Sequence, residues 1–131
     1  MEYKELILKA IEAKNKAYAP YSNFKVGAAV LMNNGNVYTG CNIENASYGA
    51  TNCAERTAIF KGISEEYNCI KVIAIVGAEN EYTFPCGICR QVICEFSDEN
   101  TKIILAKNEN EFVVYTVEQL LPGAFTKKDL S

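Results

Sequence analysis

Lys71-Val72-Ile73-Ala74-Ile75-Val76 is apolar from its second position to its last and β-branched at four of its six places. A run of this kind without alternation reads as the central strand of a sheet, covered on both faces. Upstream, Cys53 to Lys61 carries a helical pattern with Asn52 as its N-cap, and Asn42 to Asn52 is a loop of Asn, Ser, Gly and Thr. Before that loop, Val26 to Met32 reads as a buried strand and Val37 to Cys41 as a short one. Asn33-Asn34-Gly35-Asn36 marks the turn between them, so the pair forms a hairpin. Residues 4 to 17 place Leu6, Ile7, Ala10, Ile11, Ala13 and Ala17 on one broad helical face.

Downstream of the central run, a loop rich in Glu and Asn leads to a helix from Pro85 to about Phe96. Lys102 to Leu105 and Phe112 to Thr116 make the last two strands, joined by Lys107 to Glu111. So short a link suits a hairpin and not a parallel crossover, so these strands are antiparallel. A short helix follows. The expected fold is α/β: one domain over residues 1–131, with a mixed five-stranded sheet carrying helices on its faces.

The 131 residues include six cysteines and no histidine. Ser-His-Asp and Cys-His pairs, a His general base and every His-containing metal site are therefore excluded. With 49% apolar and 22% charged residues, the composition excludes disorder and coiled coil. A net charge of −3 and no Lys or Arg run argue against a nucleic-acid partner. The charged start Met1-Glu2-Tyr3-Lys4-Glu5 does not read as a signal peptide, and no apolar run reaches the ~18 residues of a membrane span. A cytoplasmic protein is expected. In that reducing setting cysteines serve more often as metal ligands, redox groups or small buried hydrophobes than as disulfides.

Cys86 and Cys89 lie three residues apart at a helix start and can grip one ion, with Cys53 at the start of the other helix completing the site. Helix N-termini lower thiol pKa and so favour the thiolates that zinc requires. A C-x-x-C alone equally fits two buried cysteines or a thiol–disulfide redox pair. Cys41, Cys69 and Cys94 read as packing residues, so three ligands are available and a fourth position stays open for water, the arrangement of a catalytic zinc.

The chain has eleven lysines but only two arginines, Arg56 and Arg90, each within three residues of a proposed ligand. Three thiolates on Zn²⁺ leave a net charge of −1, which a guanidinium donating to sulfur offsets. Arg56, or Arg56 with Arg90, is the candidate for this tuning; the alternative is an ordinary ion pair with a carboxylate. Glu55 is the acid–base candidate, the alternative being a capping carboxylate bonded back to the Asn52 N–H.

Cys53-Ala54-Glu55 followed by Pro85-Cys86-Gly87-Ile88-Cys89 is similar to the all-cysteine form of the zinc deaminase signature. The likeness extends through Tyr18 to Ala29, Gly40 to Tyr48, Cys53 to Ala58, Cys86 to Ile93 and Glu118 to Phe125. Together these resemble the small homotetrameric cytidine deaminases over nearly the whole chain.

The resemblance implies a three-layer α/β/α fold, one zinc per subunit, and hydrolytic deamination of cytidine and 2′-deoxycytidine to the uridine products and ammonia. It implies that Glu55 moves protons between water, the base N3 and the departing amine. Asn42 and Glu44 match the pair that holds the ribose hydroxyls, Phe24 the aromatic wall beside the base, and the Ala54 N–H a donor to the O2 carbonyl. Tyr48 and Phe125 match residues that reach the site from other subunits of the homotetramer. Phe84 stands where many relatives carry a small polar residue, whose carbonyl meets the amine. The rival readings are a blasticidin-S-type deaminase acting on a modified cytosine nucleoside, a thiol–disulfide protein, and a structural zinc module.

Overall fold

The computed structural model describes residues 1–130. In chain order the elements are α1 (Tyr3–Lys14), β1 (Gly27–Met32), β2 (Val37–Cys41), α2 (Ala54–Glu65), β3 (Ile70–Val76), α3 (Gly87–Glu95), β4 (Ser97–Asn108), β5 (Glu111–Thr116) and α4 (Val117–Leu120). The strands form one sheet in the order β2-β1-β3-β4-β5. Only the β3–β4 pair is parallel, and α3 lies in the crossover between them; the other pairs, the last two strands included, are antiparallel. The Lys71–Val76 run thus occupies the middle strand of a mixed five-stranded sheet.

Both faces of the sheet are covered. Ala28 and Val30 of β1, with Ile73 and Ile75 of β3, pack against Ala58 and Ile59 of α2, Ile93 of α3 and Leu120 of α4. The alternate residues Ala29, Leu31, Val72, Ala74 and Val76 pack against Leu6, Ile7 and Ala10 of α1. The period of two along each strand is what divides one apolar run between two cores.

Several boundaries differ from the sequence reading. α1 ends at Lys14, before Ala17, because Tyr18 leaves the helix to bond its N–H to Asn42 O and to accept from the Glu44 N–H. α2 continues to Glu65, since Gly62 is no helix stop: a Cβ there would stand 2.8 Å from the Tyr38 ring. Its N-cap is Cys53, and Asn52 instead pairs its backbone with Ile43 and its side chain with Thr57. α3 starts at Gly87 with Cys86 as N-cap, so Pro85 lies just outside the helix. β4 begins at Ser97, far ahead of Lys102, because Ser97 pairs with Ile70 before an irregular stretch that Thr101 ties down by donating to Ile70 O at 2.6 Å.

Gly40 settles how closely α2 sits on β2. A Cβ at Gly40 would lie 2.5 Å from Ala58 N and 2.7 Å from Ala54 O, so the helix backbone rests directly on the strand. That contact fixes the depth of the first turn of α2, where Ala54 and Glu55 stand.

Candidate active site

The starts of α2 and α3 meet on one face of the sheet. Cys53 caps α2 with an extended backbone and makes no side-chain capping bond, so its sulfur is free to turn to the other helix. Cys86 caps α3 and accepts from the Cys89 N–H at 3.4 Å. The Sγ atoms of Cys53 and Cys86 are 3.8 Å apart, and all three sulfurs lie within 4.8 Å of one another. Cys89 is buried, Cys53 partly so and Cys86 exposed. Three convergent thiols with no disulfide among them suit a soft, borderline cation such as zinc.

The electrostatics favour thiolate at Cys53. A hydrogen bond from Cys89, supported by Arg56, holds the Cys53 thiol down at about 5. Cys89 is pushed up, chiefly because it donates to that thiolate, so in the metal-free protein the two share one proton. A divalent cation displaces it. Arg56 Nη2 donates to Cys53 Sγ at 3.4 Å, while its Nε is buried without a partner. Arg90 goes elsewhere: its Nε donates to Pro85 O at 2.8 Å and its Nη1 to Leu120 O at 2.7 Å. Of the two arginines the geometry brings Arg56 to sulfur and turns Arg90 to main-chain carbonyls.

Glu55, on the first turn of α2, is only 4% exposed. Burial raises its carboxyl to about 7, and the Cys53 charge adds to the effect. A carboxyl poised near neutrality beside a thiol cluster is suited to both taking and giving a proton. The capping bond to the Asn52 N–H does not form, because that N–H donates to Ile43 O at 2.9 Å.

Asn42 and Glu44 organise the loop after α1. Asn42 accepts from Val26 N at 2.9 Å and donates to Phe24 O at 2.8 Å. Glu44 accepts from the N–H groups of Tyr21 and Ser22 at 2.9 and 3.1 Å and from the Ser22 hydroxyl, which keeps its carboxyl below the usual range. One amide N–H of Asn42 and further lone pairs of Glu44 remain for a ligand. Asn23 holds a positive φ of 59° between Ser22 and Phe24, a conformation asparagine tolerates. Through the backbone pairing of Ile43 with Asn52, this loop stands beside the residue that precedes Cys53.

The aromatic candidates are all exposed: Phe24 at 42%, Phe84 at 46%, Phe125 at 61% and Tyr48 at 80%. The Phe84 ring packs against Tyr115, with centroids 5.7 Å apart. Ser22 and Gln91 carry bonds the sequence reading did not assign: Ser22 supports Glu44, and Gln91 Nε2 donates to Phe125 O at 2.8 Å. The turn-forming neighbours of Ser22 were the available signal for the first; nothing local marks the second.

The family model for the cytidine and deoxycytidylate deaminase zinc-binding region matches residues 1–106. The chain belongs to this family. Among curated cytidine deaminases it is 50% identical to that of Halalkalibacterium halodurans over 131 residues, 100% of this chain and 99% of the relative. It is 47% identical to that of Sporosarcina psychrophila, over 100% of this chain and 96% of the relative. The crystal structure of the Burkholderia pseudomallei cytidine deaminase superposes with a TM-score of 0.89 at 47% identity, covering 95% of this chain and 100% of that one. A Mycobacterium tuberculosis cytidine deaminase structure follows at 0.83 and 37%, covering 95% and 98%. As a cytidine deaminase family member, the chain has the three-layer α/β/α architecture of these structures, and its three thiols supply what a zinc-binding region needs.

Proposed function

We propose that the protein hydrolyses cytidine and 2′-deoxycytidine to uridine and 2′-deoxyuridine, with water consumed and ammonia released. The observation that carries this reading is the buried Glu55 carboxyl, held near neutrality beside the Cys53, Cys86 and Cys89 thiols. Zinc held by these three would supply a Lewis acid that polarises a water molecule.

The remaining work belongs to side chains and backbone. Glu55 accepts one proton of the attacking water and passes it to the base N3, then takes the remaining hydroxyl proton and gives it to the departing amine as the C4–N bond breaks and the C4 carbonyl forms. A single carboxyl serves these steps because its pKa lies near the working pH. The Ala54 N–H, in the first turn of α2 where helix donors have no internal acceptor, receives the O2 carbonyl. Asn42 and Glu44 hold the ribose hydroxyls with the capacity their loop bonds leave free, and Phe24 covers the base. Arg56 offsets the charge of the thiolates. The Phe84 carbonyl receives the leaving amine.

Tyr48 and Phe125, large and exposed on one chain, close the sites of neighbouring subunits in a homotetramer. Six free cysteines agree with a cytoplasmic setting, and the reaction fits pyrimidine salvage. Among the described residues no helix is long and apolar enough to cross a membrane.

Ammonia release from cytidine, deoxycytidine and blasticidin S, with and without chelator, tests the reading. The expected result is turnover of both cytidines, little of blasticidin S, and loss of activity with the metal. Full activity in a zinc-free preparation overturns it, as does a preference for blasticidin S. Activity confined to thiol–disulfide exchange, or zinc without any deamination, returns the protein to the redox or structural readings.

A further inference from the structure

Arg90 makes no bond to sulfur, yet its guanidinium has three partners near the site. Nε donates to Pro85 O at 2.8 Å, Nη1 donates to Leu120 O at 2.7 Å, and the group lies over the Phe84 ring, 5.9 Å from its centroid. The need for a side chain at Pro85 arises in the ligand turn itself. Were the helix continuous from Pro85, that carbonyl would accept the N–H four residues on, which belongs to Cys89. Instead the Cys89 N–H points to Cys86 Sγ at 3.4 Å, and the Arg90 N–H goes to Cys86 O at 2.9 Å. The Pro85 carbonyl thus loses its helical donor, and Arg90 Nε takes the vacant place. Leu120 O stands at the end of α4, where carbonyls lack partners within the helix and attract positive charge.

We propose that Arg90 is a positioning residue for the metal centre. By giving Pro85 O a donor and tying it to α4, it leaves the Cys89 N–H free to bond the Cys86 sulfur and holds that exposed ligand within reach of Cys53 and Cys89. It touches neither metal nor substrate. The inference rests on the three thiols being the zinc ligands. Lysine cannot replace it, because one ammonium on a flexible stem does not reproduce a planar fork reaching two carbonyls.

Zinc-loaded parent protein, Arg90→Met and Arg90→Lys are compared by the rate of zinc loss to an excess of chelator. The sulfur-to-metal charge-transfer band of their cobalt-substituted forms is compared alongside. Outer partners of metal ligands typically carry a 10–100-fold effect on retention. Both variants are expected to release zinc at least about tenfold faster, with the band moved to longer wavelength as the Cys86 sulfur loses its N–H donor. If Arg90→Met does not fold, Arg90→Lys decides. A variant that folds with a lower unfolding temperature, but keeps the parental release rate and band, shows packing alone and overturns the proposal. A parent that holds no zinc overturns the ligand reading, and the proposal with it.

Discussion

Arg56 places Nη2 3.4 Å from the Cys53 sulfur while keeping Nε buried with no partner. An unmade buried donor costs about 1–3 kcal/mol, so the guanidinium sits beside the thiols against a penalty that its bond to sulfur offsets.

Arg56→Gln removes the positive charge from a centre whose three thiolates leave bound zinc at net −1. The acid limb of the kcat/KM profile on cytidine is expected to move up by about one pH unit, equivalent to about 1.4 kcal/mol. At pH 6 the rate falls about tenfold. A pH–rate series with zinc content measured alongside checks this; if both are unchanged, Arg56 does not offset the thiolate charge.

Glu55→Gln keeps the shape of the pocket and loses the proton carrier. Turnover is expected to fall by about 10²–10⁴, the usual contribution of general acid–base catalysis, with bound zinc retained. Near-parental turnover in a metal-replete variant removes Glu55 from the proton path.

The same variant reports on stability in the metal-free protein. The Glu55 carboxyl titrates at 4.5 without its folded surroundings and at about 7 within them, so the folded form binds the proton more tightly. The stability this confers is complete below pH 4.5 and is lost as pH rises through 7, amounting to about 3 kcal/mol at roughly 1.4 kcal/mol per unit. Cys53 titrates in both proteins, so most of its own contribution cancels in the comparison and the remaining difference reports Glu55 together with its interaction with the thiols. In urea melts, the gap between Glu55→Gln and the parent is expected to shift by that amount in favour of the variant between pH 4 and pH 8. A gap independent of pH shows an ordinary carboxylate.

Asn42→Ala and Glu44→Ala separate loop support from ligand binding. The first leaves the buried Val26 N–H without its acceptor and is expected to cost about 1–3 kcal/mol. Glu44 is half-buried and its carboxylate bonds lie at the surface, so its loss lowers the melting temperature less than that of Asn42. Both raise KM for cytidine by about tenfold or more, the scale of one lost hydrogen bond to a charged group. For the Glu44 variant, a 3′-deoxy substrate that shows the same KM in parent and mutant confirms the 3′-hydroxyl contact.

Gly40→Ala tests how α2 is seated. The added Cβ would meet Ala58 N and Ala54 O, 2.5 and 2.7 Å away, and both are backbone atoms that cannot turn aside. Destabilisation of at least about 1–3 kcal/mol is expected. Because the shift carries Glu55 with the helix, kcat in the folded variant is expected to drop as well.

What the sequence made legible was what repeats or clusters locally. The unbroken Lys71–Val76 run placed the middle strand, and the positions of Cys53, Cys86 and Cys89 at two helix starts anticipated one thiol cluster. What stayed hidden depends on single bonds between distant residues. Glu44 holds Tyr21 across 23 positions and Asn42 holds Val26 across 16, and no period marks either. Asn52 has the chemistry of an N-cap, but a backbone bridge to Ile43 claims it first. Arg90 stands closer to a ligand in sequence than Arg56 does, yet a proline carbonyl without a helical donor turns it away from sulfur.

Cys53 and Cys86 are both cap residues, so two of the three ligands sit at helix starts, while the strands beneath pair independently of them. An ion held there ties two helix starts together above the sheet. Loading is expected to slow amide exchange in the opening turns of α2 and α3 and to leave the β3 amides unmoved. The residence time of the ion is then set by local opening of a helix start and not by global unfolding.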